Sequence, residues 1–135
     1  MGGRPVRHAP GLAAPPTPLI AGELALLDTS VLIEVLRPGR PLDLERLTPI
    51  KHICICLPVI QEFLQGIREE RNYRIARDAV FAFQVLESPL SVEVHEEAVA
   101  IFRAGRMRGL TIRSSADCLI AACAIRHDIQ VIHRD

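Results

Sequence analysis

The chain of 135 residues has no tryptophan and a single tyrosine, Tyr73, and aromatic residues make up only 4% of it. Stacking of bases on aromatic rings is thereby excluded as a main source of nucleic-acid affinity. Net charge is absent too: sixteen Lys and Arg balance sixteen Asp and Glu. No global field draws the protein to polyanions, so a nucleic-acid partner has to be held by a local basic patch. No apolar run approaches the ~20 residues of a membrane-spanning helix, and the amino terminus has no compact apolar stretch followed by a cleavage site. The expected setting is the cytoplasm, with no membrane partner. Cys54, Cys56, Cys118 and Cys123 lack the Cys-x-x-Cys spacing of a zinc knuckle. They are expected as buried free thiols, since free cysteine behaves as a small core residue.

What is present divides unevenly. Residues 1–22 hold Pro5, Pro10, Pro15, Pro16 and Pro18 with Gly2, Gly3 and Gly11, follow neither helical nor strand periodicity, and read as a disordered extension. From Glu23 to Asp135 apolar strands alternate with amphipathic helices. The pattern predicts strands at 24–28, 51–56, 84–87 and 129–132, and helices at 29–37, 58–67, 72–83, 93–108 and 116–127. Within them Ile75, Ala79 and Phe83 are expected on one inward face, as are Val94, Ala98, Ile101 and Phe102. Short, continuously apolar strands separated by helices indicate an α/β fold in which a parallel sheet is flanked by helices.

Two of the apolar strands run out to an aspartate, Leu24 to Asp28 and Ile129 to Asp135. Glu62 and Asp117 fall in early turns of predicted helices, and in a parallel sheet helix starts share a rim with the carboxyl ends of strands. Each acid alone also has a structural explanation. Asp28 can cap a helix, Glu62 can complement a helix dipole, Asp117 can pair with Ser114 in a cap, and Asp135 can belong to a turn. Taken together they predict a shared site, because clustered carboxylates repel one another unless a cation neutralises them. Hard oxygens without His or thiolate company suit Mg²⁺ or Mn²⁺. Such a site can acidify a water and direct it at a phosphodiester.

These residues carry a resemblance. The runs Leu26-Leu27-Asp28-Thr29-Ser30-Val31-Leu32-Ile33-Glu34, Pro58 to Ile67 around Glu62, Arg113 to Ala124 around Asp117, and Val131-Ile132-His133-Arg134-Asp135 resemble the four acidic motifs of PIN-domain proteins. The likeness is greatest to VapC-type toxins of bacterial toxin-antitoxin pairs, and it extends from about Glu23 to Asp135. It implies a PIN-like three-layer fold and a Mg²⁺- or Mn²⁺-dependent endoribonuclease that forms a homodimer, acts on RNA and is silenced by a cognate antitoxin. Asp28, Glu62, Asp117 and Asp135 would be the catalytic, metal-binding acids, with Ser30 and Thr29 in support. For RNA the candidate contacts are Arg103, Arg106, Arg108 and Arg113, with Arg68, Arg71 and Arg74 as a second patch.

Two departures from the family pattern stand out. The last strand of the family is expected to be missing after Asp135, leaving an edge that exposes Ile129 to Ile132, and Leu57 precedes Pro58 where relatives carry a Ser or Thr cap. A weak or inactive truncated PIN domain that binds an antitoxin or RNA is therefore the alternative to an enzyme. An aspartyl phosphotransferase ranks last, because the second Asp it needs two residues after Asp28 is Ser30.

Overall fold

The computed structural model describes residues 24–46, 49–112 and 114–134. The expected extension over 1–22, Arg113 and Asp135 lie outside the described residues. Strand β1 (Ala25–Leu27) leads into helix α1 (Thr29–Val35), and β2 (Ile53–Cys56) leads into α2 (Leu57–Gln65). Then come α3 (Glu70–Val80), β3 (Gln84–Leu86), α4 (Val92–Met107), α5 (Ser115–His127) and β4 (Gln130–Ile132). The strands lie in the order β3-β2-β1-β4, and all three pairings are parallel. Helices cover the sheet, so β1 and β2 are buried along their whole length. That double cover is why Cys54 and Ile55, successive residues whose side chains point to opposite faces, are both buried, with Cys56 on the same face as Cys54.

Local chemistry sets the helix ends. Asp28, Ser91 and Ser114 cap α1, α4 and α5 through side-chain oxygens that accept amide hydrogens of the first turn. The cap of α2 is Cys56, one residue before Leu57, and its side chain makes no capping bond. Pro58 in the first turn removes one of the amides that a cap would otherwise have to satisfy. Gly109 follows α4 at φ +76°, a conformation that glycine adopts without steric cost. Gly105 lets the α4 backbone meet Ile112 closely, since a Cβ there would lie 2.7 Å from its Cδ1.

Two packing expectations are corrected. On α3 the buried residues are Ala76 and Val80, whereas Ile75 is 61% exposed. Ile75 stands at the rim of a groove that α3 forms with α1 and α2, whereas Phe83 packs against the core as expected. Strand β4 does stand at a sheet edge, but Ile129, Val131 and Ile132 are 9%, 2% and 2% exposed. Strand side chains point to the faces of a sheet and not out of its edge, so the covering layers bury them. On α4 the expected pattern holds: Val94 and Ala98 are buried, with Ile101 and Phe102 packed against the core.

Candidate active site

At the end of β1 the backbone stops pairing as a strand and turns into α1. Asp28 is the hinge of that change. Its amide still donates to Ile132 O at 2.9 Å, in line with the β1–β4 ladder, while its carboxylate caps α1. Asp28 Oδ2 accepts from the Ser30 hydroxyl at 2.8 Å and from the Ser30 amide at 3.3 Å. The same Ser30 Oγ accepts from the backbone amide of Arg134 at 2.8 Å.

A second acid joins through the neighbouring hydroxyl. Thr29 Oγ1 donates to Glu62 Oε1 at 2.9 Å, which sets the second turn of α2 beside the first turn of α1. Asp28 and Glu62 are therefore both held, part-buried, by hydroxyl groups from consecutive residues. Asp117 is the third residue of α5 and is exposed. Its charge and burial together push the Cys118 thiol up, burial being the larger cause. Among the described residues no three of the His, Cys, Asp and Glu side chains stand close enough to hold an ion by themselves. The donor chemistry nevertheless fits Mg²⁺ or Mn²⁺. Each hydroxyl bond uses one oxygen of its carboxylate and leaves the other, and Mg²⁺ takes one or two carboxylates while keeping several waters.

A family model described as PIN domain matches residues 25–135. The chain belongs to the PIN-domain family. Ribonuclease VapC11 of Mycobacterium tuberculosis is 32% identical over 117 residues, a match that spans 83% of this chain and 87% of that one. DNA-bound VapBC from Salmonella typhimurium shares the fold with TM-score 0.68 at 18% identity, covering 84% of this chain and 97% of that one. A toxin-antitoxin complex from Klebsiella pneumoniae does so with TM-score 0.63 at 23% identity, covering 82% and 86%.

The arginines of this PIN domain have varied surroundings. Arg103 and Arg108 are exposed at the end of α4, and Arg106 lies over the Phe102 ring at 4.9 Å. In the second patch Arg74 pairs with Glu70 at 3.3 Å. The expected free thiols are all present and buried. Burial pushes Cys54 up to about 12, and the hydrogen bond that Cys56 gives to Cys123 raises Cys56 and lowers Cys123. A thiol raised by burial, as Cys54 is, stays protonated and inert.

Two features of the PIN domain were not read from the sequence. One is a largely apolar groove of about 620 Å³ among α1, α2 and α3, with Ile33, Phe63 and Ile75 in its wall and Glu62 at its margin. Exposed Ile33 was the available signal. The other is a cluster at the end of β3, where Glu87 Oε1 accepts from Arg126 Nε at 3.0 Å and lies 3.2 Å from His127 Nε2.

Proposed function

We propose that the chain is a divalent-metal-dependent endoribonuclease, the toxin of a type II toxin-antitoxin pair, which hydrolyses RNA phosphodiester bonds with an activated water. The observation that carries this reading is the pair Asp28 and Glu62, held by the Ser30 and Thr29 hydroxyls at the end of β1, in a chain of the PIN-domain family. Names of its relatives support both halves, one as a ribonuclease and one as part of a toxin-antitoxin complex.

Asp28, Glu62, Asp117 and Asp135 would hold the ion. When bound, Mg²⁺ or Mn²⁺ supplies a more acidic water and neutralises charge on the leaving oxygen. Thr29 and Ser30 keep the Glu62 and Asp28 oxygens in place by donating hydrogens to them. Arg103, Arg106, Arg108 and Arg113 would anchor phosphates of the RNA, for which the planar guanidinium fork is suited. The partners in this reading are an RNA substrate, a cognate antitoxin and a second copy in a homodimer, in the cytoplasm.

Cleavage of RNA by the purified chain with Mg²⁺, with Mn²⁺ and with a chelator is the test. Metal-dependent cleavage that Asp117→Asn abolishes is the expected result. A second reading, an RNA- or antitoxin-binding PIN domain with little activity, is favoured by the lack of a three-ligand cluster among the described residues. Binding without cleavage at any metal concentration would decide for it.

A further inference from the structure

The groove among α1, α2 and α3 continues beyond its own walls. Leu36 and Ala79 line it and also line a second cavity of about 450 Å³, which reaches Ile53 and Gln84, the first residues of β2 and β3. The two cavities therefore form one apolar trough. It runs from Glu62, which meets Thr29 just past the end of β1, to the opposite rim of the sheet, where the strands begin. Its walls leave Ile33 and Ile75 49% and 61% exposed. Apolar surface grouped in this way is stabilised by a covering segment.

The chain itself arrives at the mouth of the trough. Ala25 pairs in register with Ile53, so Leu24, where residues 1–23 join the described fold, stands about one strand spacing, ~4.8 Å, from the trough wall. The composition of that segment matches the trough. Residues 9–22 carry no charge and include Leu12, Leu19 and Ile20, and before them come Arg4 and Arg7 without any acid. Pro10, Pro15, Pro16 and Pro18 lack amide hydrogens, which makes this stretch a poor added strand for the outer strands β3 and β4. Prolines also narrow the freedom lost when a segment docks in extended form. Reach is ample, since residues 9–22 extend over about 40 Å at roughly 3.1 Å per residue, whereas β2 is only about 13 Å long.

We propose that residues 9–22 lie extended along this trough and cover it in cis, with Arg4 and Arg7 toward the Glu62 end. Charge at that end fits them. Arg37 already pairs with Glu34 at 2.7 Å, whereas the Thr29 hydroxyl orients Glu62 without cancelling its charge. Tethering favours this occupant over a separate chain, because a short flexible linker holds a segment at an effective concentration on the order of millimolar. Any other partner of the trough has to displace it. The cover needs no bound ion, so its failure and the failure of the metal-dependent reading are read separately.

The experiment uses the full chain with a nitroxide attached through Ala14→Cys, the four native thiols being buried, and reads the methyl signals of exposed side chains by nuclear magnetic resonance. Ile33 and Ile75 are expected to lose intensity, while Val99 on α4, which is 58% exposed and outside the trough, keeps it. Replacing both Leu19→Asp and Ile20→Asp is expected to restore the Ile33 and Ile75 signals. Ile75→Asp, at a position that is already exposed, is expected to restore that of Ile33 and tests the contact from the trough side. Isotope-labelled chains mixed with nitroxide-bearing chains that lack the isotope are expected to show no loss. A loss in that mixture would give the trough to a second copy and overturn the proposal. Undiminished Ile33 and Ile75 signals would leave the trough to a separate partner such as an antitoxin segment, and equal losses at Ile33, Ile75 and Val99 would show contact without a site; either result overturns the cover in cis.

Discussion

Asp28 and Glu87 occupy comparable places, each immediately following a strand of the same parallel sheet, β1 and β3. Their surroundings are opposite. Asp28 is held by a neutral hydroxyl and amide of Ser30, and its neighbour Glu62 by the hydroxyl of Thr29. Glu87, at φ +53°, is held by the guanidinium of Arg126 with His127 beside it. Hydroxyl donors orient a carboxylate without cancelling its charge, whereas an Arg partner does both. An acid of the first kind still has an interaction to offer to a cation, and one of the second kind has already made it. The difference separates a candidate functional acid from a structural one at two equivalent strand ends, which position alone cannot do.

The largest test of this contrast is on cleavage. Asp28→Asn and Asp117→Asn are each expected to lower metal-dependent RNA cleavage by at least about 100-fold, since even groups that only support metal ligands carry about 10–100-fold. Glu87→Gln, which alters an equivalently placed acid, is expected to stay within about threefold of wild type. Initial rates with Mg²⁺ and Mn²⁺ on one RNA measure all three. Equal losses in Asp28→Asn and Glu87→Gln would erase the distinction.

The next effect is on stability. An ion that binds only the native state adds roughly 2.7 kcal/mol at a hundredfold excess over Kd. Melting curves with and without Mn²⁺ are expected to separate for wild type and for Glu87→Gln, and to draw together for Asp117→Asn. A metal-induced shift of the same size in wild type and Asp117→Asn would place the ion elsewhere.

Much of this arrangement was readable from the sequence, and the exceptions share a cause. Leu24 to Asp28 and Ile53 to Cys56 show as strands because a sheet covered on both faces leaves a continuous apolar run. The start of α5 shows in Ser114, whose hydroxyl accepts from the Ala116 amide. On α3, Ile75 was assigned inward and Ala76 was not, because periodicity finds a face but α1 and α2 decide where the groove lies. The Ser30–Arg134 bond joins residues 104 apart and involves a main-chain amide, so no side-chain pattern announces it. Glu87 was read as the end of a short strand, but its partner Arg126 lies 39 residues away and shows only once the chain folds.

The smallest expected effect belongs to Glu87 itself. Its carboxyl is held below the ordinary value of 4.5, first by the hydrogen bond from Arg126 and further by His127, against a smaller opposing cost of burial. A group whose folded value is depressed contributes stability that is complete above its unfolded value and is lost as pH falls through the folded one. The contribution is therefore present at neutral pH and disappears below about pH 4.5. Glu87→Gln removes it at every pH. The cluster lies at the surface, with Arg126 and His127 side chains 40% and 37% exposed, so solvent and salt screen it and the effect is modest. Melting temperatures of wild type and Glu87→Gln are expected to differ slightly at pH 7 in low salt, to draw together in 1 M salt, and to converge as pH falls from 5 toward 3. A difference that grows in acid would reverse the sign and show that Glu87 is stabilised in its protonated form.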